Sequence, residues 1–446
     1  MSSVPTINFP PEEFHDDVIR LSNAFLTSRG VLMNHKSKDA SELSSGALFV
    51  APVTLVPGLF YKECFERAVK LQTAMNLLYH KVSNDSKFLI ETFSEVIGGD
   101  EFSAKLFDIY KRSNSKQTIS LGINRSDYLL DETQGQSPSI KQVEFNAISV
   151  SFSSLTALVG QYHRFLNERT GYEGMISNYQ IKTEQLPENT SLTSFSDGLA
   201  SAFIAYGNPK THEQIHDEGS IDPVSGALMV SNYEIAIAYF RSGYVPEDYP
   251  TQKEWDARMM IESSLAIKCP NIAYHLVGAK KVQQELASPG VVERYISDPE
   301  MAKAITDSFA ELLPLDSSPL GRSAYEKAMT SSENYVMKPQ REGGGCNTYG
   351  ADIPPLLKTL SVEQQKAYIL MRLIKSPQFD SLVLHNGKVH KIRSISELGV
   401  YGVWLSDGDK VMVNKSAGHL LRTKPSDSNE GGVASGFAFV DSPLLI

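Results

Sequence analysis

The run Lys338-Pro339-Gln340-Arg341-Glu342-Gly343-Gly344-Gly345-Cys346-Asn347 concentrates the most chemistry in this chain. Three consecutive glycines leave backbone N–H groups unshielded, and such a loop can wrap phosphate oxygens. Lys338 and Arg341 add positive charge where phosphate would lie, and Glu342 brings a carboxylate suited to a Mg²⁺ that bridges phosphates. The spacing fits neither G-x-x-x-x-G-K-[ST] nor G-x-G-x-x-G, which excludes a P-loop and a dinucleotide fingerprint. A flexible glycine loop with incidental charges is the plainer alternative.

A second cluster lies at 140–152, which alternates like a strand. Gln142, Glu144 and Asn146 share one face of that pattern, and Val143, Phe145 and Ala147 the other. A carboxylate and an amide oxygen projecting together are hard oxygen ligands for Mg²⁺. Ser149 and Ser151 continue the polar face and can hydrogen-bond a polar substrate; a solvated strand face is the competing reading. Arg125 stands between an apolar start and a turn, Arg241 follows a buried strand over 234–240, and Arg422 and Lys424 share one segment. Arginine at strand ends suits bidentate capture of carboxylates, although each alone better suits a surface ion pair. A second glycine loop at 430–436 suits closure over a ligand, with an ordinary turn as the alternative.

His212, Glu213 and His216 match the H-E-x-x-H zinc-peptidase pattern. Pro209 and Gly219 limit that helix to about two turns, too little to hold metal ligands rigidly.

The elements that must position these groups are legible in part. Phe14, Val18, Leu21 and Phe25 mark an amphipathic helix over 11–29, and Cys64, Ala68, Leu71, Met75 and Leu78 mark another. Residues 184–232 are polar and rich in Pro, Gly and Ser, which predicts a boundary with little core. Asn386-Gly387 and Asp407-Gly408 predict two hairpins, and the class is α+β with a large antiparallel component. With 446 residues there is core enough for two or three domains. A net charge of −10 excludes a general nucleic-acid binder, and no segment spans a membrane. Three scattered cysteines exclude a disulfide framework and fit a cytoplasmic compartment.

Together, the segments 121–128, 142–152, 239–244, 280–286, 338–349, 395–399, 420–424 and 431–434 resemble the eukaryotic glutathione synthetase family along most of the chain. The resemblance implies an ATP-grasp fold with antiparallel sheets, a lid and a small parallel-sheet substrate domain, assembled as a homodimer. It implies main-domain residues at 1–195 and 396–446, the substrate domain at 196–310 and the lid at 311–395. It implies ATP-dependent joining of γ-glutamylcysteine to glycine through an acyl phosphate.

By the same resemblance, Glu144, Asn146 and Glu342 would hold Mg²⁺. Glu144, Lys280, Lys338, Pro339, Gln340, Arg341, Glu342, Gly343, Gly344, Gly345, Cys346, Asn347, Tyr349, Met371, Ile374, Glu397, Lys424 and Glu430 would surround ATP. Arg125, Ile148, Ser149, Val150, Ser151, Arg241, Tyr244, Arg422, Val433 and Ala434 would contact the peptide substrate, with Arg125, Arg341 and Arg422 catalytic. The chain departs from the family by a shortening of about two dozen residues between 209 and 234, as gauged against a crossover unit of a dozen residues or more. Cys346 stands where the family has Asn, and Arg372 where an acidic residue is usual. The shortening leaves a nucleotide-binding relative with altered or lost ligase activity as the alternative.

Overall fold

The computed structural model describes every residue except 1–4, 35–47, 133–136, 208–218, 232, 343–344, 386, 430 and 434–435, and the side chains of Glu12, Glu13 and His15. A seven-stranded sheet runs in the order Phe379–His385, Val53–Thr54, Phe439–Asp441, Lys410–Pro425, Lys388–Asp407, Ile119–Asp131 and Ser139–Asn146. Phe379–His385 pairs a second time, with Lys388–Asp407, so five of these strands close on themselves. The two long strands form a hairpin through Asp407 and Lys410, with Gly408 at φ +53° in a turn that favours glycine.

The Lys62–Asn84 helix crosses this sheet and buries Cys64, Ala68, Leu71, Met75, Leu78 and Val82, the three-and-four spacing read from sequence. Burying each large apolar side chain is worth roughly 1.5–3 kcal/mol. Tyr79 on the same helix stacks on Phe145 with ring centroids 3.6 Å apart, which fixes the strand that carries Glu144.

A separate four-stranded antiparallel sheet runs Leu312–Pro314, Tyr368–Arg372, Tyr335–Pro339, Thr348–Tyr349. Its alternate residues divide cleanly. Met337 and Leu370 pack on the Pro319–Thr330 and Ile353–Thr359 helices, whereas Val336 and Met371 face a cavity.

Five sequence expectations need correction. The strand predicted over 140–152 ends at Asn146, and Ser149 and Phe152 beyond it adopt positive φ. A bulge at Val143 pairs Asp127 with Glu144 but Tyr128 with Gln142, so Gln142 and Glu144 face opposite sides rather than one. Arg125 is not beside a turn but midway along Ile119–Asp131. The region 184–232 is not bare of core: Ser191–Tyr206 forms a helix that buries Phe195 and Ala202 against the main sheet. Its many serines masked an apolar face whose partner is distant in sequence.

The strand expected over 234–240 is split. Tyr233–Glu234 joins Gly219–Ile221 and Leu228–Val230 in a small antiparallel sheet, and Ile237–Tyr239 pairs parallel with Ile267–Cys269. The His212/Glu213/His216 motif and Asn386 lie outside the described residues.

Beneath the main sheet, Gln72 Nε2 donates to Asn76 Oδ1 and Asn124 Oδ1, both at 2.9 Å, in a fully buried polar network. Gly402 faces it, and a Cβ there would collide with Asn76 Oδ1 and Asn124 Oδ1. The Gly402→Ala substitution is therefore expected to destabilise by about 2–4 kcal/mol, combining overpacking with broken buried hydrogen bonds. A lowered urea midpoint checks this; an unchanged midpoint would show that the network yields freely.

Candidate active site

Between the two sheets lies a cavity of about 510 Å³. Its floor is organised by Asp127, which is fully buried on the Ile119–Asp131 strand. Arg125 Nε and Nη2 donate to its two oxygens at 2.6 and 2.8 Å. Asn146 Nδ2 donates to Oδ2 at 2.9 Å, and Arg422 Nη2 does so at 3.0 Å. Arg422 also pairs with Glu397. Burial disfavours charge on Arg125, but the Asp127 carboxylate beside it outweighs that and holds the guanidinium charged. Arg125 crosses the neighbouring strand above Gly399, where a Cβ would stand 2.6 Å from Arg125 Cδ. Because Asp127 engages the Asn146 amide nitrogen, it leaves that side chain's oxygen for the cavity.

Paired across from Asp127 on the next strand is Glu144, with Glu342, Lys280 and Lys338 around it. Lys280 Nζ donates to Glu144 Oε2 at 2.9 Å, and Lys338 Nζ to the Val143 carbonyl at 3.2 Å. Burial works against the Glu144 charge, but Lys280 and Lys338 outweigh it and hold its carboxyl well below the usual range. Burial pushes the Glu342 carboxyl up; Lys280 opposes this and the Glu144 charge adds to it. Burial also brings the Lys338 ammonium down to about 8, against the pull of Glu144.

The cavity gathers most of the expected residues. Arg125, Glu144, Asn146, Ile148, Ser149, Val150, Ser151, Tyr244, Lys338, Glu342, Asn347, Tyr349, Met371, Ile374, Glu397, Arg422, Lys424 and Val433 all line it. Tyr349 Oη and Lys424 Nζ both donate to the Asn429 carbonyl, which joins the upper sheet to the C-terminal loop across the opening. Arg372 is exposed at the cavity edge beside Met371.

Others stand back from the lining. Arg241 donates to the carbonyls of Ser149 and Val150, bracing that loop from outside. Gln340 is buried between Lys281 N–H and the Ala367 carbonyl. Arg341 pairs with Asp100 instead of turning inward, and Lys280 sits behind Glu144. Pro339, Gly345 and Cys346 are not among the lining residues, and the Cys346 thiol is free and exposed. Gly343, Gly344, Glu430 and Ala434 lie outside the described residues.

Sequence reasoning missed Asp127. The R-x-D spacing with Arg125 was a usable signal, because alternate residues on a strand share a face.

Paired carboxylates and lysines beside anchored guanidinium groups in one cavity suit an anionic nucleotide next to a second acidic ligand. The chain belongs to the eukaryotic glutathione synthase family, whose model for the ATP-binding domain matches residues 12–445. It is similar to the chloroplastic glutathione synthetase of Arabidopsis thaliana, at 38% identity over 98% of this chain and 86% of that protein. It is similar to the glutathione synthetase of Homo sapiens, at 36% identity over 94% of each. Among solved structures, a glutathione synthetase-like effector from Globodera pallida in its apo form shares the fold, with a TM-score of 0.77 at 21% identity over the whole of both chains.

The Asp127→Asn substitution would leave two buried guanidinium groups short of their shared counter-charge. A loss of about 3–5 kcal/mol in unfolding free energy is expected, as for breaking a buried ion pair. Chemical denaturation checks it, and an unchanged midpoint would mean that Glu397 alone balances the cluster.

Proposed function

We propose that this chain is an ATP-dependent carbon–nitrogen ligase that joins γ-glutamylcysteine to glycine, forming glutathione. The observation that carries the reading is one cavity that brings two complementary sets of groups side by side. Lys338, Glu144, Asn146 and Glu342 suit a metal–nucleotide, and Arg125 and Arg422 suit the carboxylates of a peptide. Family membership supports the same reading. The relatives carry the ligase name and favour neither a nucleotide binder without ligation nor a zinc peptidase.

The residues fit Mg²⁺. Two carboxylates and an amide oxygen are hard donors, and the Glu342 carboxyl, raised by burial beside Glu144, is relieved by a cation. Glu144, Asn146 and Glu342 would hold the ion, which when bound spreads the charge of the transferring phosphoryl group. Lys338 and Lys280 add fixed positive charge near the same oxygens. The γ-phosphoryl group passes to the substrate's C-terminal carboxylate, giving an acyl phosphate and ADP. The amine of glycine attacks its carbonyl carbon, the carbon–oxygen bond to phosphate breaks, and the amine proton leaves to solvent. Arg125 and Arg422 hold the acidic substrate while the Asn429 bridge keeps water from the acyl phosphate.

Residues 311–395 are assigned to the lid in this reading, with 196–310 as the substrate domain. A homodimer and a cytoplasmic location belong to the same proposal. No helix among the described residues is long and apolar enough to cross a membrane.

The decisive experiment supplies Mg·ATP and γ-glutamylcysteine with and without glycine, and reads ADP together with the tripeptide mass. Glycine-dependent ADP matched by glutathione is expected; ADP without tripeptide, or no turnover in protein that binds ATP, overturns the ligase reading.

Lys338 gives a pH test. Its ammonium, at about 8 in the free protein, is drawn higher by a bound phosphate. Nucleotide binding is therefore expected to take up a proton above pH 8 and to weaken as pH rises past that point. Calorimetry in buffers of different ionisation enthalpy measures the uptake, and Lys338→Gln should abolish it.

A further inference from the structure

The glycine-rich loop leaves its strand through Gln340 and Arg341, and each is tied down. Gln340 bonds Lys281 N–H at 3.0 Å and the Ala367 carbonyl at 3.1 Å. Arg341 reaches away from the large cavity to Asp100, whose Oδ2 accepts from Nη1 at 2.5 Å. Asp100 is only 9% exposed and holds a second partner as well. Its Oδ1 accepts Ser103 N–H at 2.7 Å, capping the Glu101–Arg112 helix. The Arg341 guanidinium also lies over the Phe102 ring, 5.6 Å from its centroid.

The neighbouring turn is fitted to the same purpose. A Cβ on Gly99 would strike the Glu363 carbonyl and stand 2.9 Å from Gln364 Cα. The Val362–Lys366 helix of the upper layer therefore rests directly on the backbone preceding Asp100. Two contacts, one steric and one ionic, meet within residues 98–100.

Arg341 is followed at once by Glu342, which lines the main cavity beside Glu144. Whatever fixes Arg341 sets where Glu342 begins.

We propose that Asp100 is a positioning residue for the metal–nucleotide site: through Arg341 it latches the root of the glycine loop and aims the Glu342 carboxylate at Glu144 and Asn146. This rests on the functional reading above, in which those three oxygens meet Mg²⁺. Asp100 touches neither substrate nor metal. A small cavity of about 30 Å³ lies beside Arg341 and Glu342, lined in part by Phe102, Leu106 and His275, so packing alone does not fully hold the guanidinium.

Asparagine caps helices as well as aspartate does but lacks the charge that Arg341 needs. Asp100→Asn therefore separates the latch from the cap, and Arg341→Met cuts the latch without touching the cap. Mg·ATP binding is measured by calorimetry across a Mg²⁺ series, with melting temperature as the control. Each variant is expected to bind roughly tenfold more weakly at limiting Mg²⁺, as for partners that orient metal ligands. Melting should stay near that of the parent chain, and the double variant should be no worse than either single one. Parental binding by either variant overturns the proposal. If Asp100→Asn fails to fold, Arg341→Met decides alone. If the parent chain itself does not bind Mg·ATP, the functional reading fails, and proteinase K cleavage within 340–347 judges the latch separately. Faster cleavage in Asp100→Asn upholds it, and an equal rate overturns it.

Discussion

The buried carboxylate of Asp127 is the contact on which the cavity floor depends. A lone ionised carboxylate in an interior costs several kcal/mol or shifts to its neutral form. Here three side chains from three strands converge on it: Arg125 from its own strand, Asn146 from the next, and Arg422 from beyond Lys388–Asp407. Glu397, on the strand between Asp127 and Arg422, takes part of the second guanidinium. The cluster is thus both the cross-strand fastening and the reason two arginines can be kept charged and rigid before any ligand arrives. Gly399 belongs to the same arrangement, because only a missing Cβ lets Arg125 lie flat across its strand.

The neighbouring group of charges is balanced differently. Glu144 is stabilised as an anion by two lysines, while Glu342 is pushed toward its neutral form. Burial brings the Lys338 ammonium down to about 8, with Glu144 opposing the change and Lys280 adding to it. Such a cluster is preorganised for a ligand that brings both negative charge and a cation. Asp127 is saturated by its hydrogen bonds; the carboxylate and lysine group beside it is left electrostatically incomplete. The upper sheet completes the enclosure, placing Val336 and Met371 over an apolar surface and Lys338 beside the acids.

Much of the site was legible because its chemistry is local. Lys338, Glu342 and the glycines sit within eight residues, and Glu144 and Asn146 alternate on one strand. The helix over Lys62–Asn84 was legible for the same reason, since its spacing repeats on one face. Errors arose where a distant partner decided the outcome. The bulge at Val143 reverses Gln142 because Tyr128 on the adjacent strand takes it into the core. The Ser191–Tyr206 helix looked like linker because its hydroxyls hide a narrow apolar face that only the main sheet reveals. Arg241 and Arg341, read as ligand contacts from type, position and family resemblance, bond here to protein partners 92 and 241 residues away, which no local pattern announces.

The sequence by itself determined the inventory: a phosphate-wrapping loop, oxygen ligands, carboxylate-seeking arginines, an acidic surface and an antiparallel class. These follow from residue type, short spacing and period, which are properties of the chain before it folds. The tertiary structure decided which of those groups share one cavity, which carboxylate organises them, and which arginines serve as braces. Those outcomes depend on side chains between strands far apart in sequence, where burial sets the strength of every charge and each guanidinium goes to the partner within its reach.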